Sequence, residues 1–254
     1  MPGRALAAST PDLPIAYYET LDSTNEEAKR QALAGATGPK WIVARRQTGG
    51  VGRRGRAWAS EPGNLFTTGL YRLDCDPARA AQLSFAAALA VGDLCASVID
   101  PERVRLKWPN DVLVEGRKIS GILLVSGEHA RGGLWLAVGI GVNLAHHPHN
   151  SERPATDLRE QGGEISVESA AERLSQRFDH WLNRWAQDGF TPIREAWLSR
   201  VHGLGERCVV RLDHETLEGV FADLGPDGSL RLDLKDGGRR FISAGDVFFP
   251  GAHS

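Results

Sequence analysis

The 254-residue chain is 41% hydrophobic and 24% charged with a formal net charge of −2, which suits a globular protein with one large core and a small second module. That charge excludes a general nucleic-acid coat, so a cationic segment here is a local device. Three cysteines without C-x-x-C spacing exclude a disulfide framework and a cysteine metal site. The early apolar run Ala5-Leu6-Ala7-Ala8 is too short for a signal peptide or a membrane span, which predicts a cytoplasmic protein off the membrane.

Along the chain, a leader (1–14) precedes a short strand at 15–19. Ser23, three residues before Glu26, predicts a capping box that opens a helix to about residue 34, where Gly35 and Gly38-Pro39 stop it. A strand at 41–44, a glycine-arginine loop at 47–58 and a strand at 65–71 follow. An alanine-rich helix is expected over 77–98, with Leu83, Leu89, Val91 and Leu94 toward the core. Residues 104–107, 112–114 and 118–124 read as strands, the last two joined by a turn at Glu115-Gly116, and a further strand over 134–140 ends in Gly141-Val142-Asn143. A polar segment rich in His, Pro and Glu leads to helices near 167–185 and 192–200. Beyond residue 203, four short apolar runs punctuated by Pro226-Asp227-Gly228 and Asp236-Gly237-Gly238 predict a small β-barrel. The expected class is α+β, a mixed sheet flanked by helices and covered on one side. The expected division is 15–203 for the larger domain and 204–254 for the barrel.

The loop Gln47-Thr48-Gly49-Gly50-Val51-Gly52-Arg53-Arg54-Gly55-Arg56-Ala57-Trp58 carries the chemistry. Glycines let successive N–H groups turn toward one point, and arginine forks match phosphate and carboxylate. An indole adds a flat face for a base. Solvated turn and nucleic-acid contact are the plainer readings of such a stretch. Gly50-x-Gly52-x-x-Gly55, with Asp74 downstream, also spells the dinucleotide fingerprint. That motif must open a helix, whereas Glu61-Pro62-Gly63-Asn64 breaks the chain here and a strand follows.

Four segments together, in order, carry a family likeness: Asp22-Ser23-Thr24-Asn25; the 47–58 loop; Lys107-Trp108-Pro109-Asn110-Asp111; and residues 117–123 followed by Gly139-Ile140-Gly141-Val142-Asn143. On these the chain resembles the biotin protein ligases, also called biotin–[acetyl-CoA-carboxylase] ligases. The resemblance implies a class II synthetase-like catalytic domain, an SH3-like C-terminal barrel and a two-step reaction through biotinyl-5′-AMP. It places Ser23, Thr24, Asn25, Gln47, Gly50, Val51, Gly52, Arg53, Lys118, Gly121 and Gly139 around biotin. It places Arg53, Arg54, Arg56, Trp58, Asn110, Lys118 and Asn143 around ATP or the adenylate. Catalytic roles fall to Lys118, Arg53, Lys107 and Asp111; we expect Asp111 to contact either the Mg2+ that accompanies ATP or the incoming lysine.

Biotin's ureido ring needs neutral donors and acceptors in an otherwise apolar pocket, which Ser23, Thr24 and the Gln47 amide can supply. The implied partner is a biotin carboxyl carrier domain of a carboxylase, for a monomer or homodimer. With only a short leader before Ile15, a monofunctional ligase without DNA binding is expected. The family loop commonly reads Gly-Arg-Gly-Arg-Arg-Gly, and here Val51 takes the first arginine position. The rivals are a lipoate–protein ligase and a non-catalytic nucleotide- or RNA-binding module, the latter disfavoured by the acidic net charge and the lack of clustered aromatics.

Overall fold

The computed structural model describes residues 13–149 and 154–250. Most of the leader expected over 1–14 lies outside the described residues. Strand β1 (Ile15–Leu21) leads through helix α1 (Thr24–Leu33) to β2 (Lys40–Gln47), which pairs parallel with β1. The Ser23 hydroxyl caps α1 by accepting the Asn25 N–H at 3.2 Å. The expected capping box is half made. The Asp22 carboxylate, adjacent and charged, takes the Ser23 N–H at 2.7 Å, and Glu26 faces Lys29 instead.

After the loop come β3 (Leu65–Leu73), α2 (Pro77–Ala81) and α3 (Leu83–Ala96). The single helix expected over 77–98 is thus two, separated at Gln82, with Asp76 capping the first through the Arg79 N–H. Helix α3 is buried on nearly every side, as an all-round apolar helix must be. Strands β4 (Val104–Lys107), β5 (Asp111–Val114), β6 (Arg117–Glu128) and β7 (Leu134–Val142) form an antiparallel meander. Helices α4 (Val167–Asp188) and α5 (Thr191–Leu198) follow. The seven-stranded sheet runs β1-β2-β3-β7-β6-β5-β4.

The chain ends in β8 (Arg207–Arg211), β9 (Thr216–Leu224), β10 (Leu230–Leu234), β11 (Arg239–Ile242) and β12 (Asp246–Phe248), an antiparallel sheet ordered β11-β10-β9-β8-β12. This is the small β module expected beyond residue 203.

Alternation along β7 sorts the large sheet into two unequal faces. Leu136, Val138, Ile140 and Val142 enter the main core with α3, α4 and α5. Trp135 and Ala137 point the other way and pack under α1 with Ala28, Ala32, Ile42 and Leu70. The sheet is therefore covered on both sides, not on one as expected, although α1 covers only part of its face. The next two residues of that face are Gly139 and Gly141, so the strand stops presenting side chains where α1 begins.

The two sheets share one core. Val210, Phe221, Leu230 and Leu232 belong to the same buried cluster as Leu89 and Trp197. Trp108 Nε1 donates to the Gly228 carbonyl at 3.1 Å, and Arg194 donates to the Leu224 carbonyl and the Asp223 carboxylate. The seven tryptophans all precede residue 200, so tryptophan fluorescence reports on the larger sheet. Phe221→Ala should cost about 3–5 kcal/mol and lower the fluorescence-detected unfolding midpoint, with far-UV dichroism following one transition. An unmoved fluorescence midpoint alongside a second dichroism transition would show that the modules unfold separately.

Candidate active site

The bare stretch of β7 is the floor of a cavity of about 240 Å3. A Cβ on Gly139 would collide with the Asn25 side chain, and one on Gly141 would sit 2.5 Å from the Trp58 indole. On the neighbouring strand β6, a Cβ on Gly121 would meet the same indole at 3.0 Å. Register puts Gly121 opposite Gly141, so the two strands together clear one slot. Trp58 lies in it.

The glycine-arginine loop is a small hairpin, not the open N–H cradle its composition suggested. Val51 bridges Ala57, the Gly52 N–H donates to the Arg56 carbonyl at 2.7 Å, and the Trp58 N–H donates to the Gly50 carbonyl at 2.9 Å. Thr48 and Gly49 spend their N–H groups on Leu21 and Asp22. A 3-10 turn at Arg53–Gly55 forms the tip, with Arg54 in the left-handed region at φ 56°. The guanidinium-bearing residues Arg53 and Arg56 of this loop line the cavity. No helix follows, which removes the dinucleotide reading.

One end of the cavity is neutral and polar. Ser23, Thr24, Asn25 and Gln47 line it, with Phe66 and Leu123 as apolar wall. Gln47 Oε1 accepts the Thr24 N–H at 2.8 Å, and Asn25 Nδ2 donates to the Leu123 carbonyl at 3.3 Å. Helix α1 thus aims its first turn at the slot.

The other end is charged. Lys118 Nζ lies 2.5 Å from the buried Asp111 carboxylate and 5.5 Å from the centre of the Trp58 ring. Asn110 is clamped by its Nδ2 on the Ile122 carbonyl at 2.7 Å, and its Oδ1 accepts from Arg53 at 3.1 Å. Burial pushes the Arg53 guanidinium pKa below its ordinary value, opposed by Asp246 and Asp111. Asn143 closes this end, tied to the Thr156 carbonyl at 3.0 Å.

Carboxylates of the C-terminal sheet hold the loop. Arg56 forks onto Asp246 at 2.9 and 3.1 Å, Arg54 pairs with Asp213 at 2.6 Å, and Arg53 donates to the Gly245 carbonyl at 3.2 Å. Asp246 itself lines the cavity. Sequence reasoning missed it, because a Gly-Asp pair opening a strand reads as a turn and its partners lie 190 residues away. Pro148 and Ala155 were missed as lining residues too.

Most of the expected site residues converge here, Val51, Gly52, Arg53 and Arg56 included. Three do not line the cavity. Gly50 packs behind it, where a Cβ would lie 2.9 Å from the Gln47 amide and 3.0 Å from the Trp58 carbonyl. Arg54 turns outward to Asp213. Lys107, at the end of edge strand β4, carries its ammonium to 5.9 Å over the Phe249 ring. Among the described residues no group of three or more His, Cys, Asp or Glu side chains could hold a metal ion.

Such a cavity suits a small molecule with a neutral polar head whose anionic tail meets a second anion between Lys118 and Arg53, beside a flat ring on Trp58. Comparison with known proteins agrees. Residues 17–143 match the Biotin/lipoate A/B protein ligase family, and residues 203–249 match the Biotin protein ligase C terminal domain. The Biotin--[acetyl-CoA-carboxylase] ligase of Paracoccus denitrificans is 40% identical over 237 residues, covering 91% of this chain and 98% of that protein. A solved biotin protein ligase from Aquifex aeolicus, in complex with biotin and ATP, superposes with TM-score 0.78 at 26% identity over 92% of this chain and 97% of that one. The Leishmania major enzyme, in complex with biotinyl-5-AMP, gives TM-score 0.63 at 26% identity over 91% and 99%. The chain therefore belongs to the biotin/lipoate A/B protein ligase family and, within it, to the biotin protein ligases.

Proposed function

We propose that this chain is a biotin–[acetyl-CoA-carboxylase] ligase. It joins biotin to ATP as biotinyl-5′-AMP with release of pyrophosphate, then transfers the biotinyl group to a lysine of a carboxyl carrier domain with release of AMP. The observation that carries the reading is the two-ended cavity, neutral and hydrogen-bonding at the start of α1 and cationic at Lys118. Lipoate activation is disfavoured because a dithiolane ring offers nothing for Ser23, Thr24 and Gln47 to bond. The match of residues 203–249 to a biotin ligase domain points the same way.

We assign the head of biotin to Ser23, Thr24, Asn25 and Gln47, with Val51 and Gly52 at its side. Its carboxylate then points along the glycine floor of Gly121 and Gly139 toward Lys118. Attack on the α-phosphate brings two anions together, and the protein's task is to hold and neutralise them. Lys118 and Arg53 sit where that charge gathers, and Arg56 and Asn143 flank it. Trp58 is assigned to adenine, with Asn110 fixing the angle of Arg53. Of the cavity's carboxylates, Asp111 is the one that would hold the Mg2+ accompanying ATP, and the ion would supply charge neutralisation at the phosphates.

Before ATP binds, the Asp111 carboxylate holds the Lys118 ammonium in place at 2.5 Å. Lys107 acts from outside the cavity in this scheme, and Arg54 through its hold on the C-terminal sheet. We place the reaction in the cytoplasm, because Cys75, Cys95 and Cys208 are free thiols. Among the described residues no helix is long and apolar enough to cross a membrane.

With Mg2+ and ATP, the protein should release pyrophosphate and retain an acyl-adenylate when given biotin but not when given lipoate; turnover with lipoate alone would overturn the reading. Lys118→Met should slow biotinyl-AMP formation about 100- to 1,000-fold and also lower the thermal midpoint, because Asp111 is left buried without its cation. Gly141→Ala should displace the indole and raise the KM for ATP about tenfold, with the KM for biotin moving less than about twofold. Arg53→Gly should speed dissociation of biotinyl-AMP about tenfold, read as the rate at which the intermediate leaves the isolated complex.

A further inference from the structure

Beneath the neutral end of the cavity lies Thr68, wholly buried on β3 and not a lining residue. Its Oγ1 is 2.7 Å from Asn25 Oδ1 and 2.8 Å from Thr24 Oγ1. Proton counting gives these short contacts a direction. Asn25 must turn its nitrogen to the Leu123 carbonyl, so its Oδ1 accepts, and the hydrogen it accepts is the single hydroxyl proton of Thr68. Two hydroxyl oxygens 2.8 Å apart need a proton between them. That proton belongs to Thr24. The order therefore runs from Thr24 to Thr68 to Asn25.

The consequence appears on the cavity side. With its proton committed downward, Thr24 Oγ1 presents lone pairs only. Gln47 Oε1 is the competing acceptor for that proton, at 3.2 Å from Thr24 Oγ1, but it already takes the Thr24 N–H at 2.8 Å and the contact to Thr68 is shorter at 2.8 Å; its Nε2 is turned to Ser60 Oγ at 3.3 Å. Ser23 is set oppositely: its Oγ accepts the Asn25 N–H, which leaves its own proton to donate. Side by side, an acceptor at Thr24 and a donor at Ser23 complement the N–H and C=O of a cyclic urea.

Resting on the biotin reading above, we propose that Thr68 is a positioning residue that makes Thr24 an obligate acceptor and so selects a urea N–H in the substrate head. Without that hydroxyl, Thr24 is free to turn its proton into the cavity against the substrate's own N–H, and the Asn25 amide loses one of its two anchors. A group built to accept discriminates strongly only while it cannot donate.

The test is steady-state pyrophosphate release by wild-type, Thr68→Val, Thr68→Ala and Thr68→Ser proteins, varying biotin and ATP separately. Thr68→Val should raise the KM for biotin about tenfold, leave kcat and the KM for ATP within about twofold, and be rescued by Thr68→Ser. Thr68→Ala adds no bulk and carries the same test if the valine variant does not fold. An unchanged biotin KM overturns the proposal, as do equal changes in kcat and the KM for ATP, or a serine variant as poor as valine. Wild-type protein that turns over no biotin overturns the functional reading itself, and this inference with it.

Discussion

Everything at this site depends on three places where the sheet has no side chains. Gly139 and Gly141 continue the face of β7 that Trp135 and Ala137 begin under α1, and Gly121 stands opposite Gly141 on β6. Side-chain size falls along one strand from indole to methyl to hydrogen. That gradient lets a single sheet face support a helix at one end and leave a slot at the other. Asn25 and Trp58 lie directly on the bare backbone, so the floor also fixes the height of two groups that a ligand would meet.

Charge is managed by pairing. A buried carboxylate and a lysine ammonium are each costly alone, and Lys118 with Asp111 resolves both at 2.5 Å. Arg56 and Arg54 are handled in the same way by Asp246 and Asp213. The cationic end is thus assembled without a bound anion, and the loop has a defined place over the slot. A nucleotide entering there meets cations already oriented, with carboxylates behind them.

Much of the architecture was legible in the sequence, because alternation and turn chemistry are local. The strands other than β12, the Ser23 cap and the small C-terminal sheet were all expected. What was missed is tertiary. The break at Gln82 and the second covered face depend on how α3 and α1 dock, which helical periodicity does not carry. Lys118 shows the limit well: beside a turn it reads as a solvated strand edge, yet β5 and β4 pair outside β6 and make it interior. Only the family likeness pointed to it. The same likeness put Lys107 with the catalytic residues, whereas its stem carries the ammonium to Phe249. Asp246 and Thr68 had no local signal at all, since one acts across 190 residues and the other is a hydroxyl within an apolar strand.

The hold of Asp246 on Arg56 has a consequence in time. Ribosomes make chains from the N-terminus, so the loop, the glycine floor and Lys118 all emerge before β12 does. Until that strand is made and seated, Arg56 lacks the carboxylate that anchors it, and the large core lacks Val247. A chain stopped short of residue 246 would carry most of its chemical groups without the clasp that aligns them.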